Sequence, residues 1–191
     1  MSVKSVMIVG VGGQGTLLAS RILGAALVND GYDVKVSEVH GMSQRGGSVV
    51  TYVRYGEKVY SPVVTPGEAD LILAFEQLEA ARWISYLKKG GKLVVNTQSI
   101  DPMPVITGVM TYPDNIIEKL KVMDIDVTAV DALSLAEEAG SVKAVNVVLI
   151  GVMARRMDLD ESVWLNVIRE IVPEKFVEMN LKAFMLGYHL K

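Results

Sequence analysis

Short apolar runs alternate along this chain with stretches whose apolar residues recur every three to four positions, a pattern that predicts strands separated by helices. Residues 5–10 form a β-branched run ending in glycine, and residues 16–30 place Leu17, Leu18, Ile22, Ala25 and Ala26 at helical spacing before Gly31. DVKVSE, residues 33–38, reads as a second strand. The 22 residues between the two strands are enough for a crossover helix, so a βαβ opening is expected. SVVTYVRY and KVYS flank Gly56 and predict a hairpin, which makes the sheet mixed.

DLILAF, a helix over EQLEAARWISYLKKGG and KLVVN repeat the strand–helix–strand alternation, with Gly90-Gly91 as the helix stop and Lys88-Lys89 suiting its negative end. After Pro102 and Pro104 the alternation continues through VMTYP, a short helix DNIIEKLKV, a strand DVTAV and a helix DALSLAEEAG. Residues 141–191 read as three helices divided at Met157-Asp158 and at Pro173; the first is apolar on nearly every face, so it is expected to be buried. The fold class is therefore α/β: a doubly wound, Rossmann-like, three-layer mixed sheet with a β-hairpin insertion and a helical C-terminal part. No repeat or linker divides the 191 residues, and one domain is expected.

Composition narrows the function. A net charge of −3 with no long basic run offers no footprint for nucleic acid or an anionic membrane. The longest apolar stretch, AVNVVLIGVMA, has 11 residues, short of the roughly 20 that span a bilayer, and the N-terminus has no signal-peptide pattern, so a cytoplasmic protein is expected. With no cysteine and two distant histidines, the chain has neither a thiol nucleophile nor an evident metal-ligand set.

Two segments are candidates for chemistry. Gly10-Val11-Gly12-Gly13-Gln14-Gly15 satisfies G-x-G-x-x-G between a strand and a helix, where glycines let backbone amides approach a pyrophosphate. Glu38, 23 residues past Gly15, is placed where a ribose-binding carboxylate would be. These features support a self-contained NAD(P)- or FAD-binding enzyme; the bland alternative is that the glycines serve tight packing. The second segment runs from Val39 to Ser48. It combines His40, Ser43, Gln44 and Arg45 with Gly41, Gly46 and Gly47, a set able to wrap a polar ligand, with Arg45 as a bidentate clamp for carboxylate or phosphate.

Together, IVGVGGQGTLLASRILG and SEVHGMSQRGGSVVTYVRYG resemble the gamma-type domain of pyruvate and 2-ketoacid ferredoxin oxidoreductases. Within that family the form EVHGMSQRGGSV looks like the small (beta) subunit of the indolepyruvate enzymes, and DLILAFEQLEAAR and KAVNVVLIG extend the likeness over nearly the whole chain. The resemblance implies coenzyme A-dependent oxidative decarboxylation of aryl 2-oxoacids. It also implies a large (alpha) partner subunit that holds thiamine diphosphate and iron–sulfur clusters and passes electrons to ferredoxin, with no cofactor bound by this chain alone.

On the matching motifs the expected cofactor-binding residues are Gly12, Gly13, Gln14, Gly15, His40, Ser43, Gln44, Arg45, Gly46 and Gly47. Arg45 is the candidate for an electrostatic role toward an anionic group of oxoacid or coenzyme A. Asn146, in the apolar helix, is expected to tie that helix to a glycine loop. A non-catalytic assembly protein using the buried helix as a docking face is a further alternative.

Overall fold

A computed structural model describes residues 3–40 and 47–190, with only the backbone of His40. The chain forms, in order, β1 (Lys4–Val11), α1 (Thr16–Asn29), β2 (Asp33–His40), β3 (Ser48–Gly56), β4 (Ala69–Ala74), α2 (Gln77–Trp83) and β5 (Leu87–Asn96). There follow α3 (Met103–Ile106), α4 (Ile116–Lys121), β6 (Asp126–Val130), α5 (Ala132–Ala139), α6 (Val145–Ala154), α7 (Glu161–Ile171) and α8 (Val177–Tyr188).

The six strands make one sheet in the order β2-β3-β1-β4-β5-β6, with β3 antiparallel to both neighbours and the pairs from β1 to β6 parallel. β1 lies in the middle. Its Val6 and Ile8 belong to one core and Met7 and Val9 to the other, which is why its apolar run is continuous and not alternating. Helices α1, α5, α6, α7 and α8 cover the first face, and α2 and α4 the second. The expected three-layer mixed α/β architecture is what the chain forms.

Several arrangements differ from the sequence reading. β1 and β2 run in the same direction with α1 as crossover, but β3 is inserted between them. The hairpin is therefore β2–β3, and KVYS forms no strand. With β1 on one edge of β3 and β2 on the other, no backbone edge is left for a further arm; Val59 N instead donates to Asp33 Oδ2 at 2.8 Å.

The predicted helix over 76–91 stops at Trp83, and after a 3-10 turn at Ile84–Tyr86 the chain enters β5. Leu87 pairs with Ala69 and Lys92 with Leu71, leaving an irregular segment between them in which Gly90 has φ +70°. The two lysines there pair with Asp70 and Asp124 and cap no helix. VMTYP is likewise no strand: Val109 N and Met110 N both donate to Pro104 O at 2.9 Å, closing a turn after α3.

The C-terminal part forms three helices, as expected. All of α6 from Asn146 to Ala154 is buried, largely by α8. A Cβ on Gly151 would lie 2.2 Å from Phe184 O, and one on Gly187 2.1 Å from Val148 O, so two facing glycines permit backbone-to-backbone contact of these helices. Trp164 and Phe184 stack beside them at 6.4 Å between ring centroids.

Candidate functional site

The parallel strands end along one edge of the sheet. At the β1/β4 boundary the following helices depart to opposite faces, α1 to one and α2 to the other, the kind of switch point where open α/β sheets bind ligands. The glycine turn lies here. Gly13 has φ +102° and Gly15 φ +83°, conformations that disfavour a Cβ.

Gln14 organises the turn. Its Oε1 accepts from Val11 N at 2.7 Å, and its Nε2 donates to Phe75 O at 3.0 Å, joining the ends of β1 and β4. A Cβ on Gly10 would come within 2.9 Å of both Gln14 Oε1 and Phe75 Cβ, so that glycine admits the Gln14 carboxamide. Phe75 O also accepts from Asn96 Nδ2 at 3.1 Å, and Asn96 Oδ1 accepts from Ala132 N at 3.3 Å, which extends the network to the end of β5 and the start of α5.

Asn146 meets its expectation. Its Nδ2 donates to Gly15 O at 3.4 Å, its Oδ1 accepts from Val147 N at 2.9 Å, and a Cβ on Gly15 would stand 2.6 Å from that Nδ2. Sequence reasoning paired the residue type with a glycine loop correctly because a buried amide must find partners.

Above the turn opens a cleft of about 550 Å³ lined by Gly13, Gln14, Gly15, Gln98, Leu133, Val142, Lys143, Val145 and Asn146. One cation, Lys143, three carboxamides, Gln14, Gln98 and Asn146, and exposed backbone at Gly13 face it, and among the described residues none that lines it is a carboxylate. Helix α1 begins at the cleft with no acidic residue in its first turn and no side-chain cap hydrogen bond, so its positive end is not neutralised by its own side chains. A second hollow, of about 250 Å³ at the opposite edge, is crossed by the pairs Lys4–Asp158 and Lys88–Asp70, and its Arg156 pairs with Asp126 outside it.

The dinucleotide arrangement is not reproduced. With β3 interposed, β2 is two strand spacings, about 10 Å, from β1. Glu38 accepts from Ser20 Oγ at 3.1 Å and Thr51 Oγ1 at 3.4 Å. Of the turn's amides, Gln14 N donates to Val11 O and Gly12 N to Gly47 O, at 3.2 and 2.9 Å.

Ser43, Gln44, Arg45 and Gly46, and the side chain of His40, lie outside the described residues. The segment's ends are described. The His40 backbone is opposite Val49 in the β2–β3 ladder, and Gly47 accepts from Gly12, so both ends meet the carboxyl edge and one touches the glycine turn.

Sequence reasoning gave no role to Glu76, Glu79 and Tyr112. Glu76, 1 % exposed, caps α2 by accepting from Glu79 N at 2.9 Å, and its other oxygen accepts from Ile100 N at 3.2 Å and from Tyr112 OH. Burial first, and the bond to Glu76 second, push the Tyr112 phenol above the usual tyrosine range. The available signal was an acidic residue at the cap with a second three positions on, a variant of the capping box.

Residues 5–190 match the model of the family described as Pyruvate ferredoxin/flavodoxin oxidoreductase. The chain is 47% identical over 193 residues to the indolepyruvate oxidoreductase subunit IorB of Thermococcus kodakarensis, covering 98% of this chain and 95% of that one. Among solved structures it is similar to the gamma subunit of a keto/oxoacid ferredoxin oxidoreductase from Geobacter sulfurreducens, with a TM-score of 0.73, 26% identity and coverage of 97% and 96% of the two chains. It also has the fold of part of the 2-oxoglutarate:ferredoxin oxidoreductase of Magnetococcus marinus, with a TM-score of 0.76 and 20% identity; the likeness covers 98% of this chain but 30% of that longer one. End to end, in sequence and in the path of its sheet, the chain belongs to the pyruvate ferredoxin/flavodoxin oxidoreductase family.

Proposed function

We propose that this chain is the small subunit of an indolepyruvate-type 2-oxoacid:ferredoxin oxidoreductase and that it completes an active site housed mainly in a large subunit. The observation that carries this reading is the end-to-end likeness to an indolepyruvate oxidoreductase subunit. The overall reaction releases the carboxyl group of an aryl 2-oxoacid as carbon dioxide, transfers the acyl group to the thiol of coenzyme A, and delivers the electron pair to ferredoxin.

The chain's own donor set argues that the redox and decarboxylation centres reside elsewhere. Without cysteine it has no thiolate to ligate an iron–sulfur cluster. Among the described residues the cleft has no carboxylate to hold the metal of a metal-bound diphosphate cofactor, so thiamine diphosphate does not fit it either. When bound in the partner, thiamine diphosphate would supply the centre that stabilises the carbanion.

What this chain contributes is its carboxyl edge. The start of α1, the glycine turn, Gln98 and Lys143 present amides and a cation to the shared cavity, where they suit an anionic portion of oxoacid or coenzyme A. His40, Ser43, Gln44, Arg45, Gly46 and Gly47 would border the same cavity, with Arg45 opposing a carboxylate or phosphate. The edge also exposes apolar side chains that a partner would cover: Leu17, Val39, Leu133 and Val142 are 39–57% exposed. In the Magnetococcus protein the equivalent fold is joined to a longer chain, which fits a domain that works against a larger body.

Co-expression with the large subunit tests the proposal. The complex should reduce a viologen dye with aryl 2-oxoacids and coenzyme A, the small chain alone should not, and Arg45→Ala in the complex should cost about 1.5–3 kcal/mol in kcat/KM. Turnover by the large subunit alone at the rate of the complex would overturn the shared-site reading.

A further inference from the structure

Helix α2 opens with a second buried carboxyl group that neither the fold nor the proposed reaction has accounted for. Glu79 is 4 % exposed and reaches out of its helix toward β3. One of its oxygens accepts from Ser48 Oγ, and the other accepts from Arg82 Nε at 3.0 Å. Trp83 Nε1 adds a bond to the same serine oxygen at 3.4 Å.

Ser48 is the first residue of β3 and pairs with Val11 at the end of β1. The residue before it, Gly47, is the one whose carbonyl accepts from Gly12 N at 2.9 Å. A continuous route of two hydrogen bonds and one peptide unit thus runs from α2, on one face of the sheet, to the glycine turn that starts α1 on the other. The other anchors of the turn act on its neighbours, Gln14 on Val11 and Phe75 and Asn146 on Gly15, whereas the bond to Gly47 O is the one that holds the Gly12 amide.

We propose that Glu79 is a positioning residue for the glycine turn: by holding Ser48 it fixes Gly47 O, and through Gly47 it sets Gly12, the residue before Gly13 of the cleft lining. Glu79 itself touches no substrate, since its carboxyl group is buried against Ser48 and Arg82. Arg82 orients the carboxyl group from the solvent side, and the Trp83 indole donates to the same Ser48 oxygen. The proposal rests on the reading above that the carboxyl edge forms part of the shared active site.

The test compares Ser48→Ala, Glu79→Ala, their combination and Glu79→Gln in the complex with the large subunit, Glu79→Gln keeping an acceptor for Ser48. Two quantities are read: hydrogen–deuterium exchange at the Gly12 amide, and kcat and KM separately. Loss of a hydrogen bond to a charged acceptor should speed exchange at Gly12 about tenfold in each alanine variant, with no further gain in the double variant, and should leave Glu79→Gln close to wild type. The alanine variants should likewise lower kcat about tenfold with little change in KM, because a displaced turn misplaces a bound group without removing its contacts.

Wild-type exchange at Gly12 in Ser48→Ala and Glu79→Ala, or fully additive effects in the double variant, would overturn the clamp. Faster exchange at Gly12 with unchanged kcat and KM would leave the clamp standing and instead refute the assignment of the glycine turn to the active site.

Discussion

At the scale of single residues, the turn after β1 is held by side chains more than by glycine's freedom alone. Gly15 illustrates the combination: its φ of +83° and the Asn146 amide 2.6 Å from where a Cβ would be both oppose any larger residue. Gly15→Ala should therefore destabilise the chain by about 2–4 kcal/mol, left-handed strain contributing about 1–2 and the displaced Asn146 the rest. Urea unfolding of the variant checks this, and a loss below about 0.5 kcal/mol would show that the turn relaxes at little cost. The need for glycine at this position was legible in the motif. That Asn146 ties its helix to a glycine loop was legible as well; which glycine it meets was not, because the two residues lie 131 positions apart along the chain.

At the scale of elements, local signals decided the helices and contacts between elements decided where some of them ended. Helix α5 follows its capping signal: Asp131 accepts from Ser134 N at 3.1 Å and from Ser134 Oγ at 2.6 Å. Those bonds, the hydroxyl's first, hold the Asp131 carboxyl below its ordinary value. A carboxyl group lowered in the folded state stabilises it at every pH above the unfolded value, and that contribution disappears as pH falls through the lowered one. Asp131→Asn caps without titrating, so its stability should fall less steeply than wild type between about pH 5 and about pH 2. Urea midpoints across that range decide it; parallel curves would mean that Asp131 contributes no pH dependence. By contrast, the stretch from Glu76 to Gly91 has helical spacing throughout and yet leaves the helix at Trp83, because Leu87 has a place in the sheet beside Ala69 and the lysines have Asp70 and Asp124 as partners. Bonds to residues on other elements outweigh the modest per-residue helix preference of such a segment.

At the scale of the whole molecule, one insertion changes what the glycine motif means. β3 between β1 and β2 moves Glu38 one strand spacing, about 5 Å, beyond where a neighbouring strand would hold it, and Ser20 and Thr51 take its carboxyl group. Titration of the chain with NAD or FAD should accordingly give no saturable heat at affinities tighter than about 1 mM, whereas a micromolar dissociation constant would restore the dinucleotide reading. The cleft that does exist, about 550 Å³, is polar at its floor and bordered by exposed apolar side chains, an arrangement suited to a site completed from outside.

Apart from the strands expected at KVYS and VMTYP, the succession of strands and helices was determined by the sequence itself, as were the burial of α6 on every side, the exclusion of cysteine chemistry and the family likeness, since each depends on periodicity, composition or contiguous motifs. Only the tertiary structure decided that β3 separates β1 from β2, that Gln14 bridges β1 to β4, and that Glu79 reaches Ser48 across 31 residues. These are contacts between segments distant along the chain. Which partner a strand edge or a buried carboxyl group finds is set by the packing of the whole sheet, and local residue preferences do not encode it.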